Sequence, residues 1–250
     1  MATLSLPRRL VAEFTGTALL VTAVVGSGIM AATLSPHDIG LQLLENSTAT
    51  AFALGALILI FGPVSGAHFN PAVSVADWWL GRRGGTGLPA ADLGGYVGAQ
   101  VAGAIGGSIL ANLMFALPAV DLSGRQRSAG HLWLGEAVAT AGLILLVFAL
   151  ARSGRAPVAP AAVGAYIGAA YWFTSSTSFA NPAVTVGRAF TGTFAGIAPG
   201  SVPAFVAAQL AGLLAGVGLL TVLYPHAGQA AGDVVVPHTA ETEHADRPDR

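Results

Sequence analysis

Two asparagines, Asn70 and Asn181, each head the same tripeptide, Asn70-Pro71-Ala72 and Asn181-Pro182-Ala183. Each copy follows a long apolar run and opens a short one. Asparagine favours a helix start because its side-chain oxygen accepts from exposed backbone N–H groups. Proline at the first helical position has no N–H to leave unsatisfied. With the oxygens held, the amide N–H groups of Asn70 and Asn181 are expected to point into a lumen as donors. Each short helix also brings the positive end of its dipole to the same place. Two donors and two positive helix ends at one constriction orient a passing water and repel cations, protons included. One such tripeptide reads as a turn. Two in matching places of a duplicated chain read as paired half-helices lining a pore.

Other polar residues fall inside apolar runs. Glu13 and Glu136 are ionisable groups where a membrane helix would carry none without reason. Their pairing favours a structural role over a proton relay, each accepting hydrogen bonds from the irregular loop before a half-helix. Gln100 and Gln209 are similarly paired and are expected to cap loop backbone or lie on helix–helix faces. His68, two residues before Asn70, reads as a pore-lining histidine at a pore mouth, a donor or pH-sensitive group.

The elements that must position these residues follow from composition. Of 250 residues, 54% are hydrophobic and 9% charged, with a mean hydropathy of +0.68. Soluble domains carry roughly 25% charged residues, so most of this chain belongs in a lipid bilayer. All eleven basic residues are arginine, and no cysteine is present to form a disulfide or a thiolate metal site. A net charge of −1 argues against a nucleic-acid partner. Neither a metal nor a cofactor is implied.

A spanning helix needs about 20 predominantly apolar residues. Six segments qualify, at 10–34, 41–64, 89–117, 132–151, 157–176 and 202–223. The first resembles a signal peptide, but it is long enough to span and five comparable segments follow. Two shorter pieces, 70–80 and 181–191, would each make about 15 Å of helix, roughly half the hydrocarbon thickness. Residues 12–16 align with 135–139, and 96–100 with 205–209. The offsets are 123 residues (13 to 136), 111 (70 to 181) and 109 (100 to 209), so only the links differ in length. A repeat with three spans must reverse its orientation in the second copy, giving an inverted repeat of about 8–117 and 131–224. The expected fold is an all-α membrane protein of six transmembrane helices and two re-entrant half-helices. Arg8, Arg9, Arg82, Arg83, Arg152 and Arg155 fall on one side, and Arg125 and Arg127 on the other. The positive-inside rule then puts both termini in the cytoplasm of a multi-pass cell-membrane protein. Residues 1–224 read as the channel domain, and 225–250 as a polar cytoplasmic tail expected to be disordered.

On these residues the chain resembles the aquaporin (major intrinsic protein) family over about residues 8 to 224. The likeness rests on residues 65–73 (Ser-Gly-Ala-His-Phe-Asn-Pro-Ala-Val), the second Asn-Pro-Ala and the paired glutamates. It implies a right-handed bundle of six helices and two half-helices, assembled as a homotetramer with a pore in each subunit. It also implies passive conduction of water or small neutral solutes. In most of the family an arginine follows the second Asn-Pro-Ala and forms a narrow aromatic/arginine filter; here Val184 stands there. By similarity and gap-free counting the other filter positions fall on Thr50, Ala169 (with Ala170 as the alternative) and Ser178. Such a ring is wide, weakly polar and uncharged. The acidic residue that glyceroporins add next is replaced by Thr185. The pattern resembles a bacterial subgroup often associated with arsenic resistance, which shares the run 174–180 (Thr-Ser-Ser-Thr-Ser-Phe-Ala). Uncharged arsenous acid, with three hydroxyls and about the size of glycerol, suits such a ring.

Arg188 lies four residues past Val184, on the same helix face one turn further out. Either its guanidinium reaches back over the filter, or it pairs with a carboxylate such as Glu45 or snorkels to the outer surface. The second is the expectation. The sequence thus reads as a passive channel for glycerol-sized polyols or metalloid acids such as arsenite, with water. A water-selective pore and, further off, a secondary transporter are the alternatives. An enzyme is not expected, since the lumen candidates include no Ser–His–Asp set and no phosphate-binding loop.

Overall fold

The computed structural model describes residues 4–82, 84 and 86–225. Apart from Pro225, the expected tail lies outside them. Among the described residues eight α-helices run α1 (Leu6–Leu34), α2 (Ile39–Ser65), α3 (Pro71–Gly81), α4 (Ala90–Met114), α5 (Gly130–Arg152), α6 (Ala159–Phe173), α7 (Pro182–Gly187) and α8 (Val202–Leu223). Helices α1, α2, α4, α5 and α8 are long and apolar enough to cross a membrane. Helix α6 has only 15 residues, about 22 Å of helix. It is shorter than the expected span because a 3-10 turn, Ala156–Val158, precedes it and residues beyond Thr174 leave the helix to feed a loop. Helices α3 and α7 are the half-helices. The expected length of the second is reached only by adding a 3-10 turn, Arg188–Phe190, to α7.

The packing repeats across the two halves. Helix α1 packs on α4 and α2, as α5 packs on α8 and α6; α3 meets α4 as α7 meets α8. The halves interlock because α7 also packs on α4, and α3 on α8. This is the contact pattern of an inverted repeat. The outward faces keep large apolar side chains exposed, among them Phe52, Leu59, Ile60, Leu214 and Val222, as a lipid-facing surface requires.

Small residues allow the closest crossings. A Cβ on Gly103 or Gly107 of α4 would lie 2.3 Å from Phe14 O or 2.2 Å from Ala18 O of α1. In the other half, Gly212 and Gly216 of α8 meet Ala137 O and Ala141 O of α5 in the same way, at 2.3 and 2.7 Å. Membrane helices gain no hydrophobic drive from contact with one another, so backbone proximity of this kind supplies much of the attraction. Gly107→Val should therefore cost about 3 kcal/mol and lower the thermal midpoint in detergent by several degrees. Gly98→Ala, with nothing within 4 Å of the added methyl, should leave it in place. Equal midpoints for the two variants would rule the crossing out as a stabilising contact.

Candidate functional site

The half-helices begin as their residue types dictate. Asn70 and Asn181 are extended, with φ −154° and −156°, and a proline follows each. Asn70 Oδ1 accepts from Ala72 N at 2.9 Å; Asn181 Oδ1 accepts from Ala183 N at 3.0 Å and Val184 N at 3.2 Å. The Nδ2 groups correct the simplest expectation. Asn70 Nδ2 donates to Ala180 O at 2.8 Å, and Asn181 Nδ2 to Phe69 O at 2.7 Å. Each amide thus spends one of its two hydrogens on the opposite loop, and these two bonds join the halves across the repeat axis. One hydrogen per asparagine remains for the cavity that both side chains line.

The loops before the half-helices are strained in parallel. Ala67 and Phe69 in one, Ser178 and Ala180 in the other, have φ of 50°, 49°, 47° and 49°, a left-handed region costly for residues other than glycine. Two buried carboxylates hold them. Glu13 accepts from His68 N at 3.0 Å, Phe69 N at 2.8 Å, Ser65 Oγ at 2.6 Å and Gln100 Nε2 at 2.7 Å. Glu136 accepts from Phe179 N and Ala180 N, both at 2.8 Å, and from Gln209 Nε2 at 2.6 Å. The glutamines also reach the half-helices: Gln100 Nε2 donates to Ser74 Oγ at 2.9 Å and Gln209 Nε2 to Thr185 Oγ1 at 2.8 Å. So the glutamines link each carboxylate to a half-helix hydroxyl rather than capping loop backbone.

Around these loops lies a cavity with two unlike walls. One is apolar and repeats the duplication: Leu20 and Val24 of α1 match Leu143 and Val147 of α5, and Leu54 and Ile58 of α2 match Val163 and Ile167 of α6. The other is polar, formed by His68, Asn70, Ser178 and Asn181. Thr50, Ser178 and Val184 all line it, while Ala169 is exposed on the outside of the bundle. The α6 contribution passes to Tyr171, whose Oη lies 3.3 Å from Thr50 Oγ1. Two residues turn a helix by about 200°, so a small counting slip reverses the face. Ala170 is buried but absent from the lining. Thr50, Tyr171, Ser178 and Val184 thus line the cavity together. A phenol stands where an alanine was expected.

Two charged neighbours escaped the sequence reading. His68 is 8% exposed, with Nδ1 3.0 Å from Ser74 Oγ and Nε2 3.7 Å from Asp77 Oδ2. Asp77, itself buried, also accepts from Leu88 N at 2.7 Å and so ties the end of α3 to the link before α4. On the other side Arg188 neither pairs with Glu45 nor reaches the surface. Glu45 accepts from Ser35 Oγ at 2.9 Å. Arg188 is 2% exposed and lines the cavity, its Nε donating to Ala195 O and its guanidinium 3.4 Å from the centre of the Phe179 ring. Arg127, from the link between α4 and α5, approaches the same ring at 4.9 Å and donates to Gly196 O and Ser176 O. Burial first, then the charges of Arg188 and Arg125, pulls Arg127 down to about 9.

A family model described as major intrinsic protein matches residues 1–180. Similar proteins include the aquaglyceroporin AqpS of Rhizobium meliloti, 53% identical over 199 residues, which cover 80% of this chain and 82% of that one. The glycerol uptake facilitator protein of Pseudomonas aeruginosa is 32% identical over 219 residues, 75% of each chain. Among solved structures, the aquaglyceroporin from Plasmodium falciparum matches with a TM-score of 0.66 at 20% identity, covering 89% of this chain and 99% of its own. At that identity the likeness is one of fold.

Proposed function

The chain belongs to the major intrinsic protein family, a family of channels rather than enzymes, and from that premise we propose that it passively conducts glycerol-sized polyols and uncharged metalloid acids such as arsenous acid, together with water. The observation that carries this reading is the two-walled cavity, lined by Val184, the residue directly after the second Asn-Pro-Ala. A polyol or As(OH)3 needs donors and acceptors along one side and tolerates hydrocarbon on the other. The loop wall supplies the first and the paired Leu, Val and Ile residues the second. A water molecule uses the polar wall only, so an apolar wall does not select for it. The aquaglyceroporin and glycerol facilitator among the similar proteins support the same solute class.

In this reading residues 1–224 form the channel domain, with repeats of about 8–117 and 131–224. Asn70 and Asn181 with their Pro-Ala partners set the central constriction. Thr50, Tyr171, Ser178 and Val184 make the solute filter, and His68 lines the pore towards the opposite mouth. The arginine asymmetry supports cytoplasmic termini, and the family supports a homotetramer with one pore per subunit.

Light scattering from proteoliposomes decides the solute. Vesicles facing an impermeant sugar should shrink and stay shrunken. Those facing glycerol or arsenite should shrink and then reswell, with flux linear in gradient and indifferent to uncouplers. Shrinkage without reswelling in both solutes would leave a water pore. Saturation and collapse with an uncoupler would point to a transporter.

A further inference from the structure

The two half-helices carry opposite charges at the same step. Asp77 is the seventh residue after Asn70, and Arg188 the seventh after Asn181. Each meets the loop side chain two places before its asparagine. Asp77 stands 3.7 Å from His68, and the Arg188 guanidinium lies on the face of Phe179. The inverted repeat thus sets an acid towards one mouth and a base towards the other.

The base is held as a functional group rather than as a structural tie. Among the described residues no carboxylate is ion-paired with Arg188 or with Arg127. Only Nε of Arg188 has a hydrogen-bond partner there, Ala195 O, so its terminal amino groups are left to the cavity it lines. The Phe179 ring, with Arg127 also near it, fixes the guanidinium plane and offsets part of the charge's burial. A buried cation without an acid is costly to a fold, and within a membrane such a group has a task by default.

We propose that Arg188, with Arg127 near the same Phe179 ring, is the cation-excluding and hydroxyl-orienting charge of this pore, set one helical turn outward from Val184. Four residues of helix move the charge about 6 Å along the axis. Two tasks are thereby separated. The ring of Thr50, Tyr171, Ser178 and Val184 sets width and polarity, while Arg188 repels cations before they reach it and donates to the hydroxyls of an arriving polyol. This inference rests on the small-neutral-solute reading and adds the residue by which cations of the same size are refused.

Methylammonium and glycerol are similar enough in width to share the pore, so the ratio of their fluxes in one batch of proteoliposomes is the test. In R188Q the methylammonium-to-glycerol ratio should rise at least about tenfold over wild type. In R188K, which keeps the charge without the planar fork, it should stay within about threefold of wild type. A smaller rise in R188Q, or an equal rise in R188K, overturns the proposal, since mere loss of packing would open both variants alike. If R188Q vesicles carry no glycerol, R127Q decides: a ratio raised at least about threefold supports the proposal, and an unchanged one overturns it. Wild-type vesicles without glycerol flux would sink the solute reading and this inference together. Wild-type flux with an unaltered R188Q ratio would sink the inference alone.

Discussion

Replacing Glu136 with alanine is expected to abolish the folded channel. The change strands three donors that now point at one carboxylate: the N–H groups of Phe179 and Ala180 and the Gln209 amide. All lie in the interior of the bundle, where Glu136 and Gln209 are fully buried and no water is at hand to replace the lost acceptor. At about 1–3 kcal/mol for each stranded group the loss is roughly 3–9 kcal/mol, against a typical total stability of about 5–15 kcal/mol. The left-handed backbone at Ser178 and Ala180 would also lose the partner that holds it. Glu136→Gln should fall between, because it keeps an acceptor oxygen but turns an NH2 group towards an amide N–H. The measurement is monodisperse yield from detergent, with the thermal midpoint of whatever folds. An E136A protein melting within a few degrees of wild type would refute the bracing role. A proton relay predicts something else: E136Q would fold normally and lose only a pH dependence of flux.

Introducing arginine at Val184 should convert the solute preference. The side chain would enter a cavity that Tyr171 and Thr50 already line and would bring a second cation within one turn of Arg188. Glycerol and arsenite fluxes should each fall at least about tenfold, an added barrier of about 1.4 kcal/mol. Water should fall less, since it is smaller and makes fewer contacts. Stopped-flow light scattering on matched V184R and wild-type vesicles gives both numbers from the same preparation. A glycerol-to-water ratio within about twofold of wild type would mean that Val184 does not set the solute limit. Val184→Ala supplies the opposite arm, because a smaller side chain should speed glycerol and leave water nearly as it was.

Much of the fold was legible because duplication writes the same physics twice. Asn-Pro-Ala, the glutamates and the glutamines recur in the same order, at offsets of 111, 123 and 109 residues. Their structural partners repeat too, down to Ser74 in one half and Thr185 in the other beneath the glutamines. Apolar run length separated spans from half-spans, since bilayer thickness sets the number of residues needed to cross. It failed at α6, where the expected span was carried through the polar residues 174–176, whereas the helix ends at Phe173 and the chain goes on to build the loop before Asn181. One further signal was readable and missed: the matched register of Asp77 and Arg188, seven residues beyond each asparagine.

The family resemblance marked Val184 as standing where a filter arginine is usual; by itself, the sequence determined a membrane-embedded inverted repeat with two half-helices. It could do so because these properties are local: composition, run length, capping chemistry and repetition. Only the tertiary structure decided which residues face the lumen and what each buried charge touches. Tyr171 rather than Ala169 reaches the cavity because the packing of α6 sets its rotation, and no local signal resolves a turn of about 200°. The asparagine amides bond across 110 or more residues of chain to Ala180 and Phe69. Arg188 lies on Phe179 with Arg127 on the same ring. These contacts depend on folding the two halves together, which no window of sequence contains.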